Sequence, residues 1–200
     1  ISDLLEAKDR HLLNHGSRVS FYSTLVANRL SLPIAEQQSL ALGALVHDLD
    51  LISLPDSAVL NMDSDPQIHR PDLGARMGRA MGLSPDAVQI IALHHERWDG
   101  AGYPYGLRGG YIPLAARILA IADVFDSIAN RSTSLHRALR TLQASAGSQF
   151  DPILTATFCA RVRDQDQLPP LPFDDASVTA LTVEPTLDQP SHQHMPFSMF

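Results

Sequence analysis

The sequence predicts an all-α fold, and three features carry that prediction. Apolar residues recur at three- and four-residue intervals along most of the first 163 positions. Pro, Gly, Asn and Asp gather between those stretches rather than inside them. No segment shows the sustained apolar/polar alternation of a half-buried strand, and no internal repeat is visible.

The elements follow in order. Residues 3 to about 31 place Val19, Tyr22, Val26 and Leu30 at helical spacing. Ser31 or Leu32 near a cap, with Pro33 in the first turn, starts a second, Ala- and Leu-rich helix that runs to about His47. Pro55, Asn61, Asp63, Ser64, Asp65 and Pro66 mark an irregular connection. Helical patterns resume from 69 to 81 and, after Ser84-Pro85, continue to about His95. Residues 98 to 112 form a loop with five glycines. Pro113 opens a helix with Leu114, Ile118, Ile121, Phe125 and Ile128 on one side, and two more helices fit 134 to 146 and 152 to 163.

Residues 164 to 200 differ: six of the 14 prolines lie there, with no basic residue and no periodicity. They read as a disordered, acidic, Pro-rich tail after a domain of residues 1 to 163, with His192 and His194 solvated. The 44% apolar content is enough for an ordinary core. Net charge is -7, yet residues 1 to 163 hold all 15 basic and 16 of the 22 acidic residues. That near balance argues against a nucleic-acid binder. A lone Cys159 excludes a disulfide framework and a zinc-finger pattern. With no signal peptide and no apolar run near the ~18 residues of a membrane span, a cytoplasmic protein without membrane association is expected. The chain begins at Ile1 rather than Met, which suggests excision from something longer.

The chemistry-bearing residues gather at helix ends. "HHERWDGAGYP" (94 to 104) puts two imidazoles before a run of turn formers, and His47-Asp48 closes the second helix. His15, His69 and Asp123 are further candidates. One buried His is commonly a structural residue; two doublets with three companions are better explained as ligands. A His/Asp set without Cys suits iron or manganese better than structural zinc. Seven candidates exceed one ion's needs, whereas two ions sharing a carboxylate would use them.

These residues resemble the HD-GYP subgroup of the HD phosphohydrolase superfamily, a helical-bundle family linked to the bacterial second messenger cyclic di-GMP. The resemblance covers about residues 11 to 158 and is strongest over "HHERWDGAGYPYGLRGGYIPLAARILAIADVFDSI" (94 to 128). "HGSRV" (15 to 19), "GALVHDLDLISLPDSAVL" (43 to 60), "HRPDLGARM" (69 to 77) and "SQFDPIL" (148 to 154) also fit. It implies that His15, His47, Asp48 and Asp123 bind one ion, and that Asp48 bridges to a second held by His69, His94 and His95. A third-metal Glu would fall near His11, so two ions are expected. The implied activity is hydrolysis of cyclic di-GMP to pGpG or onward to GMP, with Asp48, His94 and His95 central to catalysis. Two cations bind the anionic phosphodiester and lower the pKa of a shared water. Tyr103 would wall the cleft, Asp99 would brace the turn, and Trp98 would pack the loop down. The family's loop is also implicated in contacts with signalling partners, and a sensor domain upstream is expected.

The chain departs from the family's HD-x-G-K motif, reading "HDLDL". Asp50 replaces a Gly and adds negative charge near the site; Leu51 replaces a Lys that holds a substrate phosphate. Losing such a contact costs about 1.5–3 kcal/mol, or roughly ten- to hundredfold. "NMDSDPQI" stands in place of a basic, Gly-containing stretch, and "NRSTSLH" in place of an expected RPY. Arg97, Arg108 and Arg131 are the remaining candidate phosphate contacts. Three functions follow: an active phosphodiesterase, a degenerate metal-binding module that binds nucleotide or partner proteins with little turnover, and a phosphohydrolase for another nucleotide. Restoring Lys at 51 is expected to raise turnover if the missing cation is the fault.

Overall fold

The structure, a computed structural model, describes residues 2–53, 70–131 and 135–163, with side chains from residue 12 onward and without those of Ser53 and Arg131. Among these are seven α-helices and no strand: α1 (Ser2–Arg29), α2 (Ile34–Leu45), α3 (Pro71–Ala80), α4 (Pro85–Leu93), α5 (Leu114–Arg131), α6 (Leu135–Ala144) and α7 (Pro152–Arg163). The all-α reading is borne out. His69, the 54–69 connection and the tail after Arg163 lie outside the described residues. None of the described helices is long and apolar enough to cross a membrane.

The helical spacing read along α1 becomes a buried face. Val19, Tyr22 and Val26 pack with Ile118, Ile121 and Phe125 of α5 and with Leu154 and Phe158 of α7. Tyr22 and Phe158 both meet the Phe125 ring edge-on, with centroids 4.9 and 5.1 Å away. Phe125 and Phe158 are essentially unexposed. Truncating either to Ala should cost about 3–5 kcal/mol. Ala138, Leu139 and Leu142 of α6 complete this core.

α2 lies along α1, where Ser20 Oγ donates to the Ala41 carbonyl at 2.9 Å. The contact is tightest at Gly16, where any Cβ would collide with the Leu45 carbonyl. Gly16 therefore brings the end of α2 onto α1 beside His15. The expected N-cap for α2 is corrected: Ser31 instead turns the chain out of α1 at φ +54°, and Pro33 precedes the helix without a side-chain cap. α2 also stops two residues short of His47. His47 and Asp48 stand in the turn that leads to a 3-10 helix, Leu49–Ser53.

α4 begins as expected, with Pro85 in its first turn and Ser84 Oγ accepting from Ala87 N at 3.2 Å. Five of its nine residues are buried, so its end, where His94 is the cap, is held rigidly against the core.

Candidate metal centre

Four of the predicted ligands meet where α1, the end of α2 and α5 converge. His15 Nε2 lies 3.1 Å from Asp123 Oδ1 and 3.8 Å from Asp48 Oδ2. His47 Nε2 lies 3.4 Å from Asp48 Oδ2 and 3.7 Å from Asp123 Oδ1. One donor atom each from His15, His47 and Asp48 falls within a 4.8 Å group. His94 adjoins them, its ring centroid 5.2 Å from that of His47, and His95 follows at 3.9 Å from His94. Of the seven sequence candidates, six are thus in one neighbourhood and His69 is outside the described residues.

Backbone carbonyls orient the imidazoles. His47 Nδ1 donates to the Ala44 carbonyl and His94 Nδ1 to the Ile91 carbonyl, both at 2.8 Å. A carbonyl only accepts, so in the neutral ring each Nε2 carries the lone pair. Both Nε2 atoms are buried and lack a hydrogen-bond partner, which is costly for a polar atom unless something else fills the role. His15 is oriented by a carboxylate: its Nδ1 is 2.8 Å from Asp126 Oδ2, and Arg18 holds Asp126 by two bonds of 2.7 and 2.8 Å. Carboxylate–histidine bracing of this kind is what metal-ligating histidines commonly have.

The electrostatics ask for a cation. Burial lowers the His15 pKa, but hydrogen bonds to Asp123 and Asp126 with the charge of Asp48 outweigh it and push His15 up to about 10. For His47, burial is likewise overcome by Asp48 and Asp123, and its pKa rises. His94 goes the other way: burial, with His95 and His47 beside it, holds it well below the usual imidazole range and keeps it neutral. Burial would raise Asp123, yet His15 and His47 hold it well below the usual carboxylate range. A neutral His94, two imidazoles whose protons a cation would displace, the carboxylates beside them and the orphaned Nε2 atoms of His47 and His94 fit a divalent metal.

The loop after α4 is braced from within. Glu96, 4% exposed, accepts from Tyr105 N at 2.7 Å and Leu107 N at 2.8 Å. A Cβ on Gly102 would collide with the Arg97 amide, so only Gly lets the loop fold back over residues 95 to 97. Trp98 N and Asp99 N donate to the Gln149 and Ser148 carbonyls at 3.0 and 2.9 Å. Trp98 packs under Arg117, which also holds Asp151 at 2.6 Å, and Asp99 braces the turn by accepting from Ala101 N at 3.0 Å, both as expected. Tyr103 stacks on His95, centroids 4.8 Å apart and planes 22° from parallel. Burial, then the charges of Asp50, Asp123 and Asp48, push its phenol up to about 12.

Among the arginines the sequence offered, Arg97 is committed to Asp99 by two bonds of 3.1 and 2.7 Å. Arg108 is exposed, its Cβ lying close to where a side chain on Gly100 would start. The Arg131 side chain is outside the described residues.

One expectation about "HDLDL" is corrected. Leu51 has 0% exposure, so its side chain is packed inward rather than lying open where the family's lysine would hold a phosphate. Asp50 does add negative charge near the site, since it bears on Tyr103, but it is 3% exposed and also accepts from Arg70 N at 2.6 Å at the start of α3. Sequence reasoning also passed over Asp126, Arg18 and Glu96. A signal existed for two of them: Asp126 follows Asp123 by three positions and Arg18 follows His15 by three, which places an acidic pair on one helix face and a basic pair on the other, able to meet across the two helices.

Comparison with known proteins agrees with this geometry. A family described as "HD domain" matches residues 1–154. The response regulator RpfG of Xanthomonas campestris pv. campestris, named a cyclic di-GMP phosphodiesterase, is 37% identical over 148 residues, covering 68% of this chain and 39% of that protein. A Vibrio cholerae protein named 3'3'-cGAMP-specific phosphodiesterase 2 is 31% identical over 170 residues, covering 77% of this chain and 32% of that protein. The chain therefore spans less than half the length of these relatives. In fold it is similar to the crystal structure of the Vibrio cholerae phosphodiesterase V-cGAP3, with a TM-score of 0.68 at 23% identity over 86% of this chain and 49% of that one. With the HHE-x-x-DG-x-GYP loop closing on a clustered His/Asp set and the family match running through nearly all the described helices, the chain belongs to the HD domain family, in its HD-GYP subgroup.

Proposed function

We propose that this chain is a metal-dependent phosphodiesterase that hydrolyses cyclic di-GMP to pGpG, GMP or both. The observation that carries the reading is the meeting of His15, His47, Asp48 and Asp123, with His94 and His95 adjoining. His15, His47, Asp48 and Asp123 would hold one divalent ion; Asp48, His69, His94 and His95 would hold the second. Iron or manganese suits this imidazole–carboxylate set. Bound there, the ions would supply charge for the phosphate oxygens and acidify a water to act as nucleophile at cellular pH. The chain's own residues orient the donors. The Ala44 and Ile91 carbonyls fix the His47 and His94 tautomers, and Asp126 fixes His15. Tyr103, stacked on His95, would border the substrate, with Arg108 and Arg131 as candidate phosphate contacts. Arg97 would act mainly by stiffening the loop through Asp99. The exposed Tyr105 and Tyr111 give that loop a face for a signalling partner, and an upstream sensor domain would control it in the cytoplasm.

The inward Leu51 favours a second reading, a module that keeps its metals and binds nucleotide or a partner with little turnover. A related cyclic dinucleotide is the third, because some relatives are named for 3'3'-cGAMP. Product analysis separates them. Protein loaded anaerobically with iron or manganese is incubated with cyclic di-GMP and 3'3'-cGAMP, beside a His47→Ala control. Formation of pGpG or GMP that His47→Ala abolishes is expected. Two bound ions and tight cyclic di-GMP binding without product over long incubation would refute the enzymatic reading in favour of the binding module.

A further inference from the structure

We infer that Arg70 is a substrate-binding residue: its guanidinium takes the phosphate of a cyclic dinucleotide that is not being cut. The inference rests on the cyclic-dinucleotide reading above and deepens it.

Arg70 stands at the start of α3, and its main chain is fixed at the edge of the centre. Its amide donates to Asp50 Oδ2 at 2.6 Å, and Asp50 is the first of the three carboxylates whose charge bears on Tyr103, the ring stacked on His95. One turn on, a Cβ on Gly74 would lie 3.2 Å from the Ile91 side chain and 3.6 Å from Asp50 Oδ1. The Ile91 carbonyl holds His94 Nδ1. The first turn of α3 is thus lodged between Asp50 and the last turn of α4, next to the groups that set His94 and border His95. The Arg70 side chain itself is exposed, and among the described residues its guanidinium makes no hydrogen bond or ion pair.

Other cations around the centre are engaged. Arg18 is bound to Asp126, Arg97 to Asp99 and Arg117 to Asp151, and the side chain at 51 is a buried Leu. The carboxylates near Arg70 are engaged as well: Asp50 takes its amide, and Asp48 and Asp123 face His15 and His47. An exposed guanidinium at the rim of an acidic centre, with no carboxylate of its own, suits an anion that the substrate brings. A cyclic dinucleotide carries two phosphodiesters. Ions at the His/Asp set would neutralise the one under attack, and the other arrives with its charge uncompensated. A guanidinium can hold such a phosphate by two parallel N–H bonds. Because the Asp50 bond uses the Arg70 main chain, exchanging the side chain leaves the start of α3 in place.

Two substrates make the test. The metal-loaded full chain is assayed on cyclic di-GMP and on bis(p-nitrophenyl) phosphate, which has one phosphodiester and no second phosphate for Arg70 to hold. Arg70→Ala is expected to raise KM for cyclic di-GMP roughly ten- to hundredfold. Its kcat/KM on bis(p-nitrophenyl) phosphate and its metal content should stay within about twofold of wild type. Arg70→Lys, which keeps the charge and loses the paired bonds, should recover part of the loss. A KM for cyclic di-GMP within about twofold of wild type overturns the inference. So does an equal loss on both substrates, which would put Arg70 to work on the ions or on folding. If wild type binds cyclic di-GMP without cutting it, Kd from calorimetry takes the place of KM and the same fold-changes decide. If wild type neither binds nor cuts cyclic di-GMP, the cyclic-dinucleotide reading fails and the inference falls with it.

Discussion

Leu51→Lys sets two accounts of the "HDLDL" motif against each other. If the family's lysine has merely been lost, returning it should restore a phosphate contact and raise turnover roughly ten- to hundredfold. The structure requires the opposite. Leu51 is fully buried, so the substitution removes an apolar side chain whose burial is worth about 1.5–3 kcal/mol. It also places an ammonium where no water reaches, an uncompensated charge costing about 3–5 kcal/mol. The lysine escapes that cost only by drawing residues 49 to 53 outward, which would pull Asp50 from Arg70. With the turn held closed the two costs together come to about 4.5–8 kcal/mol, and in a domain of this size about 2–4 °C of Tm goes with each kcal/mol. The midpoint should therefore fall by at least about 10 °C, with no gain in turnover on cyclic di-GMP. Thermal unfolding and product formation are measured on the same metal-loaded samples. An unchanged midpoint with a tenfold rise in turnover would show that position 51 opens on the cleft and that the packing argument is wrong.

Asp126→Asn should weaken the first ion by roughly ten- to hundredfold, because the charge that orients His15 and pairs with Arg18 is gone; chelator competition reads this, and an affinity within twofold of wild type would make Asp126 a packing residue. Metal uptake should release protons: without an ion, His15, faced by Asp48, Asp123 and Asp126 with Arg18 beyond, stays protonated to about pH 10. Apparent affinity should accordingly climb as pH rises through neutrality, which calorimetry in buffers of different ionisation enthalpy would detect. In the metal-free protein the same raised pKa contributes stability that is complete below about pH 6.5 and lost as pH rises through about 10. Asp126, held below the usual carboxylate range against the pull of burial by His15 and Arg18, contributes stability above the carboxylate range that is lost on acidification. Glu96→Ala strips two loop amides of their acceptor, at about 1.5–3 kcal/mol for each bond to the charged group. Hydrogen exchange over residues 100 to 107 should quicken while α1 and α5 stay protected; unchanged exchange would remove Glu96 from the loop's support.

Much of this was legible before any coordinate. Periodicity located the helices to within a few residues because each buries one stripe, as Val19, Tyr22 and Val26 do. The doublets His47-Asp48 and His94-His95 stood out because ligands are few in type and were concentrated at helix ends. What stayed hidden depends on direction. Leu51 in place of a lysine reads as an absence, and only the packed turn shows that the residue faces inward. Asp50 reads as an added charge near a phosphate, whereas its partner is an amide 20 positions away in a different element. The tautomers of His47 and His94 depend on backbone carbonyls, which no pattern of side chains displays. Asp126 and Arg18 were within reach, since their three-residue offsets from Asp123 and His15 place them on the same facing stripes.

Gly16 has a consequence for how such a protein can change over time. Its missing Cβ puts main chain against main chain where α1 meets the end of α2, so the gap between His15 and His47 is gauged by peptide atoms alone. Swaps among Val26, Ile118 or Leu154 repack the interior without resetting that gauge. A single methyl group at position 16 would act as a wedge driven between the two ligands, a lesion that no drift elsewhere in the core could mend.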